Sequence, residues 1–205
     1  MKRLIFFVLL FVYTYCAKAQ DEYKTVMLQS IHGLDTTMDV QTLSGLATTF
    51  AAVYDYKKDW HPLYYECLAY VKLSEAFQNA DQKKAAIDKA AELLENLPAD
   101  NDEVQVLRAL YAMDYLGIDR SAWQKFLPII NEGLSKAESI NLDNPRIYYL
   151  RGVLKYNMPA SMGGGHEEGI KLFRQSLQKY ETYKPADDLA PGWGKTDVEK
   201  YLAKN

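Results

Sequence analysis

One stretch constrains the fold of this chain more than any other. It begins at Pro145, carries Ile147, Tyr148, Leu150, Val153 and Leu154, passes through Gly163-Gly164-Gly165, and resumes from His166 with Ile170, Leu172, Phe173 and Leu177. Apolar residues recur at helical spacing on both sides of the glycine turn. Small residues (Gly152, Gly169 and Ser176) fall where two antiparallel helices must touch. Such a pair cannot bury its apolar face alone, so the pattern implies stacking on further pairs.

The rest of the chain has the same texture. Val26 to Ile31 mark a first helix after Gln20, and Asp39 caps a second running to about Tyr56. Pro62 suits the start of a third that reaches Phe77, because the missing N–H is not needed there. Asp81 opens a fourth, which stops before Pro98, and Asn101 or Asp102 opens a fifth ending near Gly117. A sixth spans 121–140, with Pro128 kinking it or sitting in its first turns. Asp143 or Asn144 with Pro145 starts a seventh; an eighth begins near His166 and a ninth near Thr196. No segment alternates over strand length. The expected class is all-α, with antiparallel helix pairs joined by short turns.

Two pairs carry a family pattern. In the third and fourth helices, Tyr70, Leu73, Ser74 and Phe77 precede Ala86, Ala90 and Leu93, and Pro98 closes the unit. In the second copy Tyr148 and Gly152 precede Gly169, Phe173 and Ser176, with Pro185 just beyond. These units, 67–98 and 145–185, resemble tetratricopeptide repeats, and the resemblance extends over about Trp60 to Pro185. Ala90 and Leu93 exchange the sizes usual at their positions, and Arg151 stands where leucine is usual. The 158–165 turn is longer than the family's, and packing does not require the extension, so it is the first place to look for a partner. The fifth and sixth helices match less well, through Leu134 and Ala137. Asn144-Pro145-Arg146, the glycine turn and Pro191-Gly192-Trp193-Gly194 are also similar to a group of exported tetratricopeptide-like proteins of Gram-negative bacteria. The resemblance implies a short right-handed solenoid and export, and it carries no activity. Residues 186–205 would then cap the array, with Trp193 stapling the last helix down.

Export is also read from the first residues. Lys2 and Arg3 precede an apolar run from Leu4 to Val12, and Ala17-Lys18-Ala19 supplies the small residues of a cleavage site. Residues 1–19 are expected to be a signal peptide, leaving 20–205 as one domain in the periplasm or cell envelope. The apolar run falls short of the roughly 20 residues a membrane span needs. Lipid anchoring through Cys16 fits poorly, because Tyr13-Thr14-Tyr15 precede it. Cleavage removes three of the 24 basic residues and none of the 27 acidic ones, taking the net charge from −3 to −6. That balance argues against nucleic acid and anionic membrane surfaces as partners. Cys67 would be the one remaining cysteine, a buried small apolar residue with no disulfide partner.

No catalytic or metal constellation is apparent, and no cofactor is expected. His32, His61 and His166 lack metal-site spacing. The glycine turn leads into a helix N-terminus, where backbone amides around Gly164 together with His166 are candidate contacts for an anion. First helices of a solenoid line its concave face, which makes Tyr65, Tyr70, Tyr111 and Tyr148 candidate recognition rings, although interhelical core is the commoner fate of such residues. Arg151 is a candidate orienting charge, as are Arg108 and Arg146. The expected function is non-enzymatic binding of a protein segment; the alternative is a small-ligand component of an envelope uptake system.

Overall fold

A computed structural model describes residues 20–204, so the expected signal peptide and Cys16 lie outside the described residues. Nine α-helices and no strand occur among those residues. They are α1 (20–36), α2 (Val40–Tyr56), α3 (Trp60–Ala76), α4 (Ala80–Leu94), α5 (Asp102–Ile118), α6 (Trp123–Ile140), α7 (Pro145–Asn157), α8 (His166–Thr182) and α9 (Lys195–Ala203).

Local chemistry sets the boundaries. Asp39, Asn101 and Asn144 cap α2, α5 and α7 by accepting N–H bonds from the first turns, and Pro145 follows as the first residue of α7. Two starts differ from expectation. Helix α3 begins at Trp60 because Asp59 caps it, which places Pro62 within the first turn. Helix α4 is capped by Asn79, whose side chain accepts from both Asp81 and Gln82 N–H, so Asp81 sits in the first turn instead. The sixth segment divides into a 3₁₀ turn, Arg120–Ala122, and α6, which carries Pro128 within it.

The helices pack as adjacent antiparallel pairs, with α3 on α4, α5 on α6 and α7 on α8 as main contacts; α2 also packs on α3. Successive first helices touch in turn, α3 with α5 and α5 with α7. This is a helical-repeat architecture. The crossings depend on small residues. A Cβ on Gly133 would lie 2.9 Å from the Gln105 carbonyl oxygen, one on Gly152 would lie 2.6 Å from the Phe173 ring, and one on Gly169 would lie 2.8 Å from Tyr156 Cα. The fifth and sixth helices thus have a close-approach residue in Gly133, set against Ala109.

Two linked cores result. The larger runs from Met27 through Phe50, Tyr64 and Tyr65 to Ile87 and Leu107; the second gathers Val106, Phe126, Ile130, Ile147 and Leu150. Trp193 packs against both. A buried polar knot ties α5 to α7. Arg146 Nε donates to Glu103 Oε2 at 2.8 Å, Asn144 Nδ2 donates to Glu103 Oε1 at 2.9 Å, and Tyr183 OH donates to Glu103 Oε1 at 2.9 Å. A buried charge pair with several hydrogen bonds around it tolerates no loss of one partner.

The segment after α8 does not stay on its own repeat. Tyr65 OH donates to the Leu189 carbonyl at 2.8 Å, Trp193 Nε1 donates to Tyr64 OH at 2.9 Å, and Lys24 pairs with Asp188. The chain therefore crosses to α1 and α3 before returning as α9, which packs on α8. The last helix thereby reaches the same face as α3, α5 and α7.

Candidate functional site

That shared face holds two adjoining cavities. One, of about 710 Å³, is lined by α5, α6, α7 and the turn after α7, with Glu75 and Tyr201 at its edge. The other, of about 350 Å³, is lined by Asp35, Lys72, Trp193, Asp197 and Lys200 among others. Glu75, Leu110 and Tyr149 line both, so the cavities form one trough. A third cavity, about 560 Å³, opens between α1 and α2 around Tyr23, Thr48, Thr49 and Tyr56. Its polar groups already serve the fold: Tyr23 OH donates to Asp59, and Thr48 and Thr49 donate to carbonyls one turn back. The trough is the better candidate, because apolar and polar side chains line it together.

The walls are built from residues that a solvent-facing helix would avoid. Trp123 opens α6 with 51% of its surface exposed, and Met162 in the turn after α7 is 59% exposed; both line the larger cavity, together with Met113, Leu127 and Met158. Large apolar side chains left uncovered around one concavity mark a binding surface more often than a solvent boundary. The 158–165 extension contributes Met158, Pro159 and Met162 to this wall. It is held in shape by Lys155, which donates to the Gly163 carbonyl at 2.8 Å and accepts from Gly165 N–H at 2.9 Å through its own carbonyl.

Two carboxyl groups line the larger cavity. Glu75 on α3 is hydrogen-bonded to Asp114 on α5, and Ser74 Oγ donates to Asp114 Oδ2. Loss of hydration, with Asp114 beside it, pushes Glu75 up to about 7; loss of hydration also pushes Asp114 up to about 6, against the Ser74 hydrogen bond. Glu75 is exposed and Asp114 half-buried, so the loss of hydration at Glu75 is partial. The hydrogen bond between the two raises Glu75 and lowers Asp114.

The residues singled out from the sequence do not converge. Tyr65 and Tyr148 are buried, bonded to the Leu189 and Leu142 carbonyls. Tyr111 is half-buried with its ring edge-on to Phe126, and Tyr70 packs at the margin of the larger core. Arg151 forms a two-pronged pair with Glu138, both bonds 2.7 Å. Gly164 is buried in its turn, where a Cβ would meet Met158 at 2.5 Å. The His166 ring stacks on Tyr156, centroids 4.1 Å apart. None of the seven lines the trough. Of the residues that do, Asp114 had a readable signal, as a lone acid in the apolar run of α5 between Met113 and Tyr115. Trp123 had another, as a large ring among Ser121, Gln124 and Lys125.

Neither His nor Cys lines the trough, and no metal-holding group of His, Cys, Asp or Glu occurs among the described residues. Cys67 is fully buried, and burial pushes its thiol up, which removes it as a nucleophile. No helix among the described residues is long and apolar enough to cross a membrane.

No protein-family model and no curated protein sequence matches this chain. Among solved structures the chain is similar to the HusA haemophore from Porphyromonas gingivalis, with a TM-score of 0.76 and 24% sequence identity over 89% of this chain and 92% of that one. The likeness is one of fold.

Proposed function

We propose that this chain is an exported, non-catalytic binding protein of tetratricopeptide-like build, whose trough takes a flat, largely apolar small molecule of the porphyrin class. The observation that carries the reading is the uncovered apolar wall of Trp123 and Met162, joined by Met158, around a concavity of about 710 Å³. That volume falls within the roughly 300–1,000 Å³ of small-molecule sites. An indole face and flexible thioethers suit a broad aromatic plane. The overall likeness to a haemophore supports the same choice. With no imidazole or thiolate in the lining, the faces of the ring system carry recognition. The export part of the proposal rests on Lys2, Arg3, the apolar run and Ala17-Lys18-Ala19.

The test is titration of the 20–205 chain with haem and with metal-free protoporphyrin, read by porphyrin absorbance and tryptophan quenching. Saturable binding of both, weakened by Trp123→Ala, supports the proposal; absence of saturable binding by either overturns it.

A second reading, recognition of a protein segment, draws on the continuity of the two cavities through Glu75, Leu110 and Tyr149. Displacement of a bound porphyrin by a partner-derived peptide would favour it.

A further inference from the structure

The Glu75–Asp114 pair is not explained by packing. Elsewhere in this fold, a buried acid joins helices through an opposite charge and hydrogen-bond donors, as Glu103 does with Arg146, Asn144 and Tyr183. Here two acids meet at the junction of the two cavities, one from α3 and one from α5, and both line the larger one. No arginine or lysine forms an ion pair with either among the described residues. The cations nearby act only partly. Lys72 on α3 offsets some of the charge at Glu75 while donating to the Leu34 carbonyl at 2.5 Å, and Lys83 on α4 offsets some at Asp114. Asp197 on α9 adds negative charge at Glu75, and Asp35, before α2, adds more to the smaller cavity. Lys200 on α9 lines the smaller cavity, and Arg120 lines the larger. Tyr149 on α7 and Tyr201 on α9 complete the titratable groups facing the pair, and burial pushes both phenols up, so they stay neutral.

An anionic ligand pushed into this trough meets a pair of acids whose charge depends on a single proton. When Glu75 holds it, the pair carries one negative charge spread over a hydrogen bond. When it leaves, two carboxylates face each other and the ligand at close range. Like charges in a partly dehydrated cleft repel, and the ligand's own carboxylates raise that cost.

Resting on the porphyrin reading, we propose that the Glu75–Asp114 pair couples ligand binding to proton retention, so that affinity for a porphyrin bearing free carboxylates falls as pH rises across the neutral range. The raised proton affinities of the two groups place the change where such a device would act, between about 6 and about 7. A ligand of the same ring system without carboxylates escapes the effect.

The test compares protoporphyrin IX with its dimethyl ester, titrated into the 20–205 chain from pH 6 to pH 8.5. The diacid weakens by about tenfold, the effect of one unit of proton coupling, and the ester keeps its affinity. In Glu75→Gln/Asp114→Asn the slope for the diacid is lost. Should the double variant not fold, Glu75→Gln alone, at a solvent-accessible position, reduces the slope. If diacid and ester bind with equal slopes, or the substituted protein keeps the parent's slope, this proposal fails while the porphyrin reading stands. If neither porphyrin binds at any pH, both fall together.

Discussion

Trp193 donates its indole N–H to the hydroxyl of Tyr64 at 2.9 Å, joining the segment before α9 to α3 across 129 residues of sequence. Tyr180 OH donates to the Trp193 carbonyl at 2.7 Å and holds the same segment from the other side. The C-terminal segment is thus a strap between the first and last repeats, and it brings α9 to the trough.

Trp193→Phe keeps an aromatic ring in place and removes the donor, leaving the buried Tyr64 hydroxyl without it. The expected cost is about 1–2 kcal/mol of unfolding free energy, read by urea denaturation with an unchanged m-value. A loss within a few tenths of a kcal/mol would mean that the strap rests on ring contacts alone.

Glu103 is the acid beneath Arg146, Asn144 and Tyr183. Glu103→Ala leaves a fully buried guanidinium without its counter-charge and is expected to cost about 3–5 kcal/mol. Joining it to Arg146→Met is expected to cost less than the two single losses summed. A double-mutant cycle in denaturant checks this, and additive losses would contradict the pairing.

Gly169→Ala puts a methyl 2.8 Å from Tyr156 Cα and 3.0 Å from the Gly152 carbonyl oxygen, both backbone atoms that cannot swing aside. Helices α7 and α8 must separate, at about 1–3 kcal/mol. Gly45→Ala, with nothing within 4 Å of the added carbon, is the control and is expected to be neutral or slightly stabilising. Thermal melts of the two variants distinguish them.

Glu75 and Asp114 predict a pH signature in stability. Their folded proton affinities are raised above the unfolded values of about 4. The folded state therefore binds more protons between those limits, and its stability falls as pH rises from about 4 to about 7. Glu75→Gln removes one of the opposed charges and should raise Tm by about 2 °C at pH 8, a modest value because Glu75 retains solvent contact. At pH 4 and below the gain should vanish. A gain of equal size at both pH values would contradict this assignment.

The sequence reading and the structure agree most closely where local chemistry decides. Asn144-Pro145, Asn101 and Asp39 mark helix starts by capping, and the apolar periodicity specifies an all-α repeat fold. Gly152, Gly169 and Ser176 were readable as crossing points because helix packing needs small residues there. The Asn79 cap was obscured by Asp81, an equally good N-terminal acid two residues later. The trough was less legible, since its residues come from α3, α5, α6, α7 and α9, and only the strap through Trp193 brings the last of these to the others. The recognition tyrosines expected from first-helix position point elsewhere: Tyr65 and Tyr148 turn into the interior to satisfy carbonyls. The lining falls instead to Tyr149, one residue along and so rotated about 100° around α7.

Trp123 carries the central claim, because it is exposed, apolar and on the wall of the larger cavity. The most direct measurement is equilibrium titration of haem into the parent chain and Trp123→Ala, with thermal melts of both. The account predicts saturable one-site binding by the parent, at least about tenfold weaker binding by the variant, and coincident melts. Equal affinities, or no saturable binding by the parent, would contradict it.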